Sequence, residues 1–251
     1  MNYKKILIFD VTGEYGHFRK YNTTTSPLTY SIPTRIALAG MVGAVLGMER
    51  EISDGVYKKG VVPVNEFFRK GEAEFAVQIL KPVKKVNIGF NLINTKHSFN
   101  DLTKAGHTQI EFELLKNPKF RIFLHLENEE KIEELRKRIM ERKHHFTPYL
   151  GLAQFTANLN FVDFVDLEDR YNENEYIELI TAVNLSKTFT EQPIKFDYSK
   201  HYSANNTPVH MDSSRVVHEY SEILVETNGY PIKAKIKEYW FVQNYGNILF
   251  L

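Results

Sequence analysis

Apolar and polar positions alternate in several short segments of the chain, and this pattern predicts a protein rich in β-strands. Residues 4–11 (KKILIFDV) form a nearly continuous apolar run, which is typical of a strand buried on both faces. Shorter runs with a period of two, bounded by turn residues such as Asn117-Pro118-Lys119, predict further strands at 75–79, 86–92, 110–114, 120–126 and 160–167.

Residues 33–48 (PTRIALAGMVGAVLGM) are predicted to form a helix, with Pro33 in its first turn, where a missing N–H costs nothing. Gly40, Gly43 and Gly47 would each weaken an isolated helix by up to about 1 kcal/mol relative to Ala. This helix therefore needs tertiary support, and its small residues allow another backbone to approach closely.

A second helix is predicted to follow Asn128, a residue that caps helices well. Acidic residues at its start and basic residues at its end complement the helix dipole; they are Glu129, Glu130, Arg142 and Lys143. Its apolar face consists of Ile132, Leu135 and Ile139.

The resulting order is strand, helix, strand, strand, helix, strand, which predicts an α+β, ferredoxin-like (RRM-like) domain over residues 1–168. A long hairpin excursion, residues 81–108, separates its second and third strands. A β-rich C-terminal part is predicted over 169–251, with strands near 175–185, 215–226, 233–243 and 246–251 and a polar loop over 186–214.

Composition narrows the possible functions. The 251 residues carry a net charge of only +1, so a nucleic-acid site would have to be a local basic surface. The absence of Cys excludes disulfides, thiolate zinc sites and a Cys nucleophile. The N-terminus lacks the features of a signal peptide, and the apolar stretch 36–48 is too short to span a bilayer. We therefore expect a soluble, cytoplasmic protein that does not bind membranes.

Residues 12–32 have no clear period, and a connection this long in a compact domain is usually functional or a sign that its elements are misassigned. Thr34, Arg35 and the first N–H groups of the helix could bind an anion. Further phosphate donors and stacking rings in the preceding segment are His17, Arg19, Lys20, Tyr15, Tyr21 and Tyr30. The alternative is that the tyrosines pack in the interior and the basic residues only solvate the surface.

The excursion is basic, since it carries one acid, Asp101, against Lys81, Lys84, Lys85, Lys96 and Lys104. An extended basic hairpin could hold a nucleic-acid strand, although a solvated surface hairpin would have the same composition. Gly151, in the segment PYLGLAQF, predicts a backbone turn, either beside bound RNA or as a plain connection between helix and strand.

The sequence predicts no assembled catalytic site. His144-His145 lacks metal-ligand spacing, His125 lies on a strand, and His201, Tyr202 and His210 fall in the polar loop. A metal-independent ribonuclease needs only a general base, a general acid and a cation, so this activity stays open. The glycines of GMVGAVLG lie inside the helix and do not form a phosphate-binding loop, and no cofactor is predicted.

Two segments resemble the CRISPR-associated Cas5 family of the RAMP superfamily. The first is FDVTGEYGHFRKYNTTTSPLTYSIPTRIALAGMVGAVLG at 9–47, and the second is FTPYLGLAQF at 146–155. The two segments are most similar to those of the type I-B branch of the family. The two motifs occur in the right order, with the long excursion between them.

This resemblance implies a ferredoxin-like RAMP domain in a non-catalytic subunit of a type I Cascade complex. Such a subunit caps the 5′ handle of the crRNA, joins the backbone subunits to the large subunit and meets target DNA indirectly. The excursion would then be a thumb that grips the guide RNA. The implied RNA-binding residues are His17, Arg19, Lys20, Tyr21, Tyr30, Thr34, Arg35, Lys84, Lys85, Lys96, Lys104 and Gly151. Alternatives are a precursor-crRNA endoribonuclease of the same superfamily and a ligand- or protein-binding module outside CRISPR.

Overall fold

The computed structural model describes residues 4–20, 26–49, 51–53, 56–93 and 106–251. The N-terminal part contains the predicted elements and two short additional ones, β2 and α2. In chain order these are β1 (Lys4–Thr12), β2 (Tyr15–Gly16), α1 (Arg35–Leu46), α2 (Val64–Phe67), β3 (Ala73–Ile79), β4 (Lys85–Ile93), β5 (His107–Lys116), β6 (Lys119–Leu126), α3 (Glu129–Met140) and β7 (Asn158–Tyr171).

Apart from one short 3-10 turn, the regular elements of the remaining chain are β-strands, as the sequence predicts. Its strands are β8 (Tyr176–Leu179), β9 (Val183–Asn184), β10 (Ile194–Lys195), β11 (Tyr202–Met211), β12 (Val217–Glu226), β13 (Ile232–Lys235), β14 (Glu238–Val242) and β15 (Gly246–Ile248), with a 3-10 turn at Leu185–Lys187. The predicted loop over 186–214 is wrong in part, because β10 and β11 lie within it. β11 pairs antiparallel with β12 along its whole length.

One large sheet organises the described residues, with strand order β10-β13-β8-β15-β14-β7-β1-β6-β3. Within it, β7, β1, β6 and β3 pair antiparallel, which is compatible with the predicted ferredoxin-like arrangement. The predicted division of the chain at residue 168 stays a prediction. That position lies inside β7, and the sheet continues from β7 into β14.

β1 is buried on both faces, which explains its continuous apolar sequence. Leu7 and Phe9 pack in the main core with residues of α1 and α3. Ile6 and Ile8 face the opposite side and contact a second cluster that includes Val242 and Phe250. The C-terminal strands therefore complete the core around β1.

Helix α1 begins at Arg35, two residues later than predicted. Thr34 is the N-cap, and its side-chain oxygen accepts a hydrogen bond from the N–H of Ala37 at 3.2 Å. Pro33 therefore precedes the cap, and its predicted place in the first turn is wrong. Gly43 lies so close to Val64 that an added Cβ would be 3.2 Å from its methyl carbon. This contact provides the tertiary support that the helix requires.

Helix α3 begins as predicted, because the Asn128 side chain accepts a hydrogen bond from the N–H of Lys131 at 2.9 Å. It ends at Met140, so Arg142 and Lys143 follow the helix and do not belong to its last turn. The basic residues of that turn are Lys137 and Arg138.

The excursion is an antiparallel hairpin of β4 and β5, paired from Lys85↔Leu115 at its base to Ile93↔His107 at its outer described end. The predicted polar tip at 94–104, with Lys96 and Lys104, lies outside the described residues. We call the paired strands β4 and β5 the arm.

Candidate nucleic-acid interface

The segment between β1 and α1 is held by main-chain hydrogen bonds although its sequence has no period. β2 pairs with β5 through Gly16↔Leu115, and the N–H of His17 donates to the carbonyl of Leu150 at 2.9 Å. Arg19 and Thr29 then form a β-bridge that brings the two sides of the segment together. We call residues 15–20 and 28–30 the loop; Tyr21 lies outside the described residues.

The loop is fastened to the base of the arm by Glu113. One Glu113 carboxylate oxygen accepts hydrogen bonds from the N–H of Thr29 at 3.0 Å and from Lys85 Nζ at 2.9 Å. Lys85 Nζ also donates to the Thr29 carbonyl at 2.8 Å. The predicted binding residue Lys85 therefore has a structural role in joining two candidate RNA-binding segments.

Gly151 joins a third segment to the same place. Its φ of +86° is in the left-handed region, and a Cβ added to it would lie 1.9 Å from the carbonyl oxygen of His17. Only glycine allows this approach of two backbones. The predicted turn exists and presses against the loop, and its proximity to RNA stays a prediction.

Four predicted basic residues lie around this junction. Arg19 and Lys84 are exposed, Lys85 is partly exposed, and Lys20 is half-buried. The pKa of Lys20 is lowered, first by burial and then by the nearby charge of Lys85. The Glu113 carboxylate acts in the opposite direction and raises the pKa of Lys20, so part of the repulsion between the two lysines is already compensated within the protein. We call Arg19, Lys20, Lys84 and Lys85 the basic rim.

Residues of β11 complete the junction, and sequence reasoning assigned them to a loop. Lys20 Nζ donates to Asn205 Oδ1 at 2.5 Å, and the Tyr30 hydroxyl donates to the Asn206 carbonyl at 2.8 Å. The polar pair Asn205-Asn206 gives no strand signal by itself. The sequence signal for a strand here lies only in the apolar residues of β12, the strand with which β11 pairs.

Tyr30 and His17 are more enclosed than the sequence suggested. The Tyr30 ring is buried, at 3% exposure, so the prediction that it stacks on an unpaired base is not supported. His17 is also buried, and its Nδ1 lies 2.8 Å from the Glu113 carbonyl. Burial lowers the pKa of His17, which disfavours the cationic form that a phosphate would attract. The expectation of a phosphate donor on a surface loop is therefore wrong for His17.

Arg35 lies in the interior, and its predicted place at the surface is wrong. Its guanidinium donates to the carbonyls of Phe68 and Ala73, each at 2.7 Å, and to that of Val209 at 3.4 Å. Burial lowers the pKa of Arg35. Thr34 is buried as well, and its hydroxyl is used by the helix cap. The predicted anion site at the start of α1 is thus occupied by the protein's own groups.

Histidines elsewhere have separate environments. His125 is buried, with Nδ1 2.9 Å from the Lys5 carbonyl. His218 Nε2 lies 2.7 Å from Asp212 Oδ2, and the His210 ring lies 5.9 Å from the His218 ring. The hydrogen bond from His218 lowers the pKa of Asp212. Within the described ranges, no group of three or more His, Asp or Glu side chains could hold a metal ion.

One family of known proteins matches most of this chain. A family model described as "CRISPR-associated protein (Cas_Cas5)" matches residues 6–226. Comparison with curated protein sequences gives no match. None of the described helices is long and apolar enough to cross a membrane.

Solved structures with similar folds also come from CRISPR systems. A chain of a "CRISPR RNA-guided surveillance complex" is 14% identical with a TM-score of 0.54, over 91% of this chain and 90% of that one. A CRISPR protein from Archaeoglobus fulgidus is 13% identical with a TM-score of 0.53, over 98% and 99% of the two chains. A chain of the type III-B Cmr-beta complex bound to cognate target RNA and AMPPnP is 12% identical with a TM-score of 0.50, over 92% and 86%.

Proposed function

Because the chain belongs to the CRISPR-associated Cas5 family, whose model spans residues 6–226, we propose that it is a crRNA-binding subunit of a CRISPR ribonucleoprotein. In this role it recognises RNA and does not cut it. Membership of the family sets aside the reading as a ligand-binding module outside CRISPR.

One observation carries the proposal: three distant segments meet beside the basic rim. The loop, the base of the arm and the turn at Gly151 are joined through Glu113, Lys85 and the carbonyl of His17. Charge is concentrated there although the whole chain has a net charge of only +1. Phosphate contacts from such a rim give affinity, and the grouping of exposed cations suits an RNA backbone.

The finer proposal is a type I Cascade subunit, of the type I-B branch, with a ferredoxin-like RAMP domain. It would cap the 5′ handle of the crRNA and link the backbone subunits to the large subunit. Target DNA would be met indirectly, since the guide reads DNA sequence by base pairing. No cofactor is required for this role.

The arm supports a contact with a neighbouring subunit. Midway along the described strands, the rings of Phe90 and Phe112 lie 4.8 Å apart, and Phe90 also approaches Phe155. Further out, Leu92 and Ile93 are 39% and 48% exposed. The arm thus changes from a packed section to an outer section with apolar side chains in solvent, and a protein partner would cover them.

A handle-dependence experiment tests the proposed recognition. Labelled crRNA with an intact 5′ handle and the same RNA without it are titrated with the purified chain. We expect removal of the handle to weaken binding by at least tenfold. Equal affinity for the two RNAs would contradict capping of the handle.

A metal-independent endoribonuclease of the same superfamily is the second candidate. Its specific support is the pair His210 and His218, with His218 oriented by Asp212 at 2.7 Å. Two imidazoles, one held by a carboxylate, can act as base and acid in RNA cleavage. The pair lies on the β11–β12 hairpin, and none of the residues of the basic rim belongs to it.

A further inference from the structure

A second basic surface lies on the C-terminal strands. In the register of β10, β13 and β8, Lys195 is opposite Lys233, which is opposite Glu178, and Lys235 is opposite Tyr176. Side chains alternate along a strand, so these five project from one face of the sheet. Residues of the other parity, Ile194, Ile232 and Ala234, are buried in a C-terminal core cluster.

Exposed aromatic side chains border this face. Phe196 follows β10 directly and is 58% exposed, Tyr198 lies two residues further and is 105% exposed, and Tyr230 is 57% exposed. The Phe196 ring rests against Tyr202, with 5.0 Å between ring centroids. Full exposure of a tyrosine such as Tyr198 leaves both faces of its ring open to a ligand.

The lysines lie against aromatic rings in two groups, one around Tyr176 and one at Tyr230. Lys195 Nζ and Lys235 Nζ lie 5.9 and 5.0 Å from the centroid of the Tyr176 ring, and Lys200 Nζ lies 5.9 Å from that of Tyr230. Hydrogen bonds from Ser199 hold the pKa of Asp197 low, and Lys200 and Lys233 lower it further. The lysine–aromatic surface therefore comprises Tyr176, Lys195, Phe196, Tyr198, Lys200, Tyr230, Lys233 and Lys235.

A groove of about 1080 Å³ adjoins the surface, between the edge strand β10 and the hairpin of β11 and β12. Tyr176, Lys195 and Phe196 belong to both the surface and the groove wall, and Leu224 lines the groove opposite them. Glu222 is the acidic residue of this lining. An aromatic ring of a ligand bound to the surface could therefore extend into the largely apolar groove.

The chemistry of the surface decides between classes of partner. Four lysines face two carboxylates, Glu178 and Asp197, which leaves an excess of positive charge. Lysine is depleted in protein–protein interfaces, whereas lysines interleaved with exposed aromatics are typical of surfaces that bind single strands. Phosphates complement the lysines, and bases complement the rings.

We propose that the lysine–aromatic surface binds single-stranded nucleic acid, with bases stacked on Tyr198 and Tyr230 and phosphates held by Lys195, Lys200 and Lys235. This goes beyond the proposed function, since none of these residues belongs to the loop, the arm or the basic rim. Stacking and backbone contacts do not read sequence, so the surface accepts a strand without strong base preference.

Two variants test the proposal in the full chain: Tyr198→Ala, and the double variant Lys195→Ala/Lys235→Ala. Tyr171→Ala is the matched control, because Tyr171 is another exposed tyrosine of the same sheet, at 72% exposure. Its neighbour in the strand register is the acidic residue Glu238. The probes are labelled oligouridine and oligodeoxythymidine of about 12 nucleotides, which carry no handle sequence. Thermal unfolding of each variant confirms that it is folded.

We expect Tyr198→Ala to weaken binding of the oligonucleotides by roughly tenfold, within the range for loss of one stacked base. The double variant should reduce the slope of log affinity against log salt by about 1.4, since each contact to a single strand contributes about 0.7. A loss of affinity for only the RNA probe or only the DNA probe also supports the proposal, and it identifies which nucleic acid the surface binds.

Unchanged affinity and salt slope for both probes in both variants would overturn the proposal. That result is expected if a protein partner, and not a nucleic acid, covers this face. The handle-dependent difference between crRNAs is measured in the same variants. It reports on the N-terminal site, so a failure of one proposal is distinguishable from a failure of the other.

Discussion

At the scale of single residues, His17, Tyr30 and Arg35 are polar side chains that the fold buries. Their partners are carbonyls of Glu113, Asn206 and Val209, all distant in the chain. A local sequence pattern identifies the segment but not which of its residues face inward. Arg19, one position from a buried phenylalanine, is exposed as predicted.

Arg35→Ala should therefore act on stability. Its guanidinium serves three carbonyls, including those of Phe68 and Ala73 at 2.7 Å, and their loss leaves buried acceptors unsatisfied. We expect the free energy of unfolding to fall by about 2–4 kcal/mol, as measured by urea denaturation.

Arg19→Ala is the matched comparison, because Arg19 is exposed and lies in the same N-terminal segment. We expect its stability to stay within about 0.5 kcal/mol of wild type. Its affinity for crRNA should fall, and the salt slope should decrease by about 0.7, as expected for one lost phosphate contact on a single strand. Unchanged affinity and salt slope would show that RNA does not lie on the basic rim.

Gly151→Ala should be far more harmful than an equivalent change elsewhere. Gly71 has a similar φ, +90°, but nothing lies within 4 Å of an added Cβ, so Gly71→Ala should cost about 1–2 kcal/mol through backbone strain alone. At Gly151 the methyl would also meet the His17 carbonyl oxygen, which is main chain and cannot rotate away. We expect a loss at least about 2 kcal/mol larger, measured by denaturant unfolding. Equal losses in the two variants would contradict the close approach.

At the scale of elements, sequence patterns were sufficient for β1, which is a continuous apolar run, for β3 and β6, which alternate, and for α3, which is capped and periodic. They failed for β11 because its sequence, YSANNTPVHM, alternates no strongly apolar residues and contains Pro208. β11 is held by pairing with its hairpin partner β12 and by contacts to the loop, and the contacts to the loop are long-range. A pattern confined to ten residues cannot contain that information.

The arm provides a prediction at this scale. Joining Lys84 to Thr108 would connect strands out of register, because Thr108 pairs with Leu92. Joining Asn91 to Gln109, which are paired, through a short turn keeps the packed rings of Phe90 and Phe112. We expect this variant to fold with an unchanged melting temperature, measured by circular dichroism.

The shortened arm should nevertheless fail to assemble with crRNA and a backbone subunit, because Leu92, Ile93 and the lysine-bearing tip are gone. A control that removes only residues 94–105 retains the exposed apolar pair and separates its contribution from that of the tip. Size-exclusion chromatography of the mixed components measures assembly. Normal incorporation of the shortened chain would show that the arm is only a surface hairpin.

At the scale of the whole molecule, the predicted N-terminal and C-terminal parts share one sheet. β7 pairs with β1 on one side and β14 on the other, and Lys187 Nζ donates to the Phe250 carbonyl at 3.0 Å. The length and composition of the chain indicate that it is large enough for an N-terminal and a C-terminal part. They do not indicate that strands of the two parts pair in one sheet. A net charge of +1 likewise conceals two separate basic surfaces, because acidic residues elsewhere balance them.

The most direct test of a crRNA-binding subunit that does not cut is incubation of the purified chain with repeat RNA in EDTA. One gel reports the mobility shift of the RNA, and a second, denaturing gel reports its length. We predict a shift with RNA of full length. A site-specific cut that survives repurification and disappears in His210→Ala or His218→Ala would contradict the account, and so would the absence of any shift.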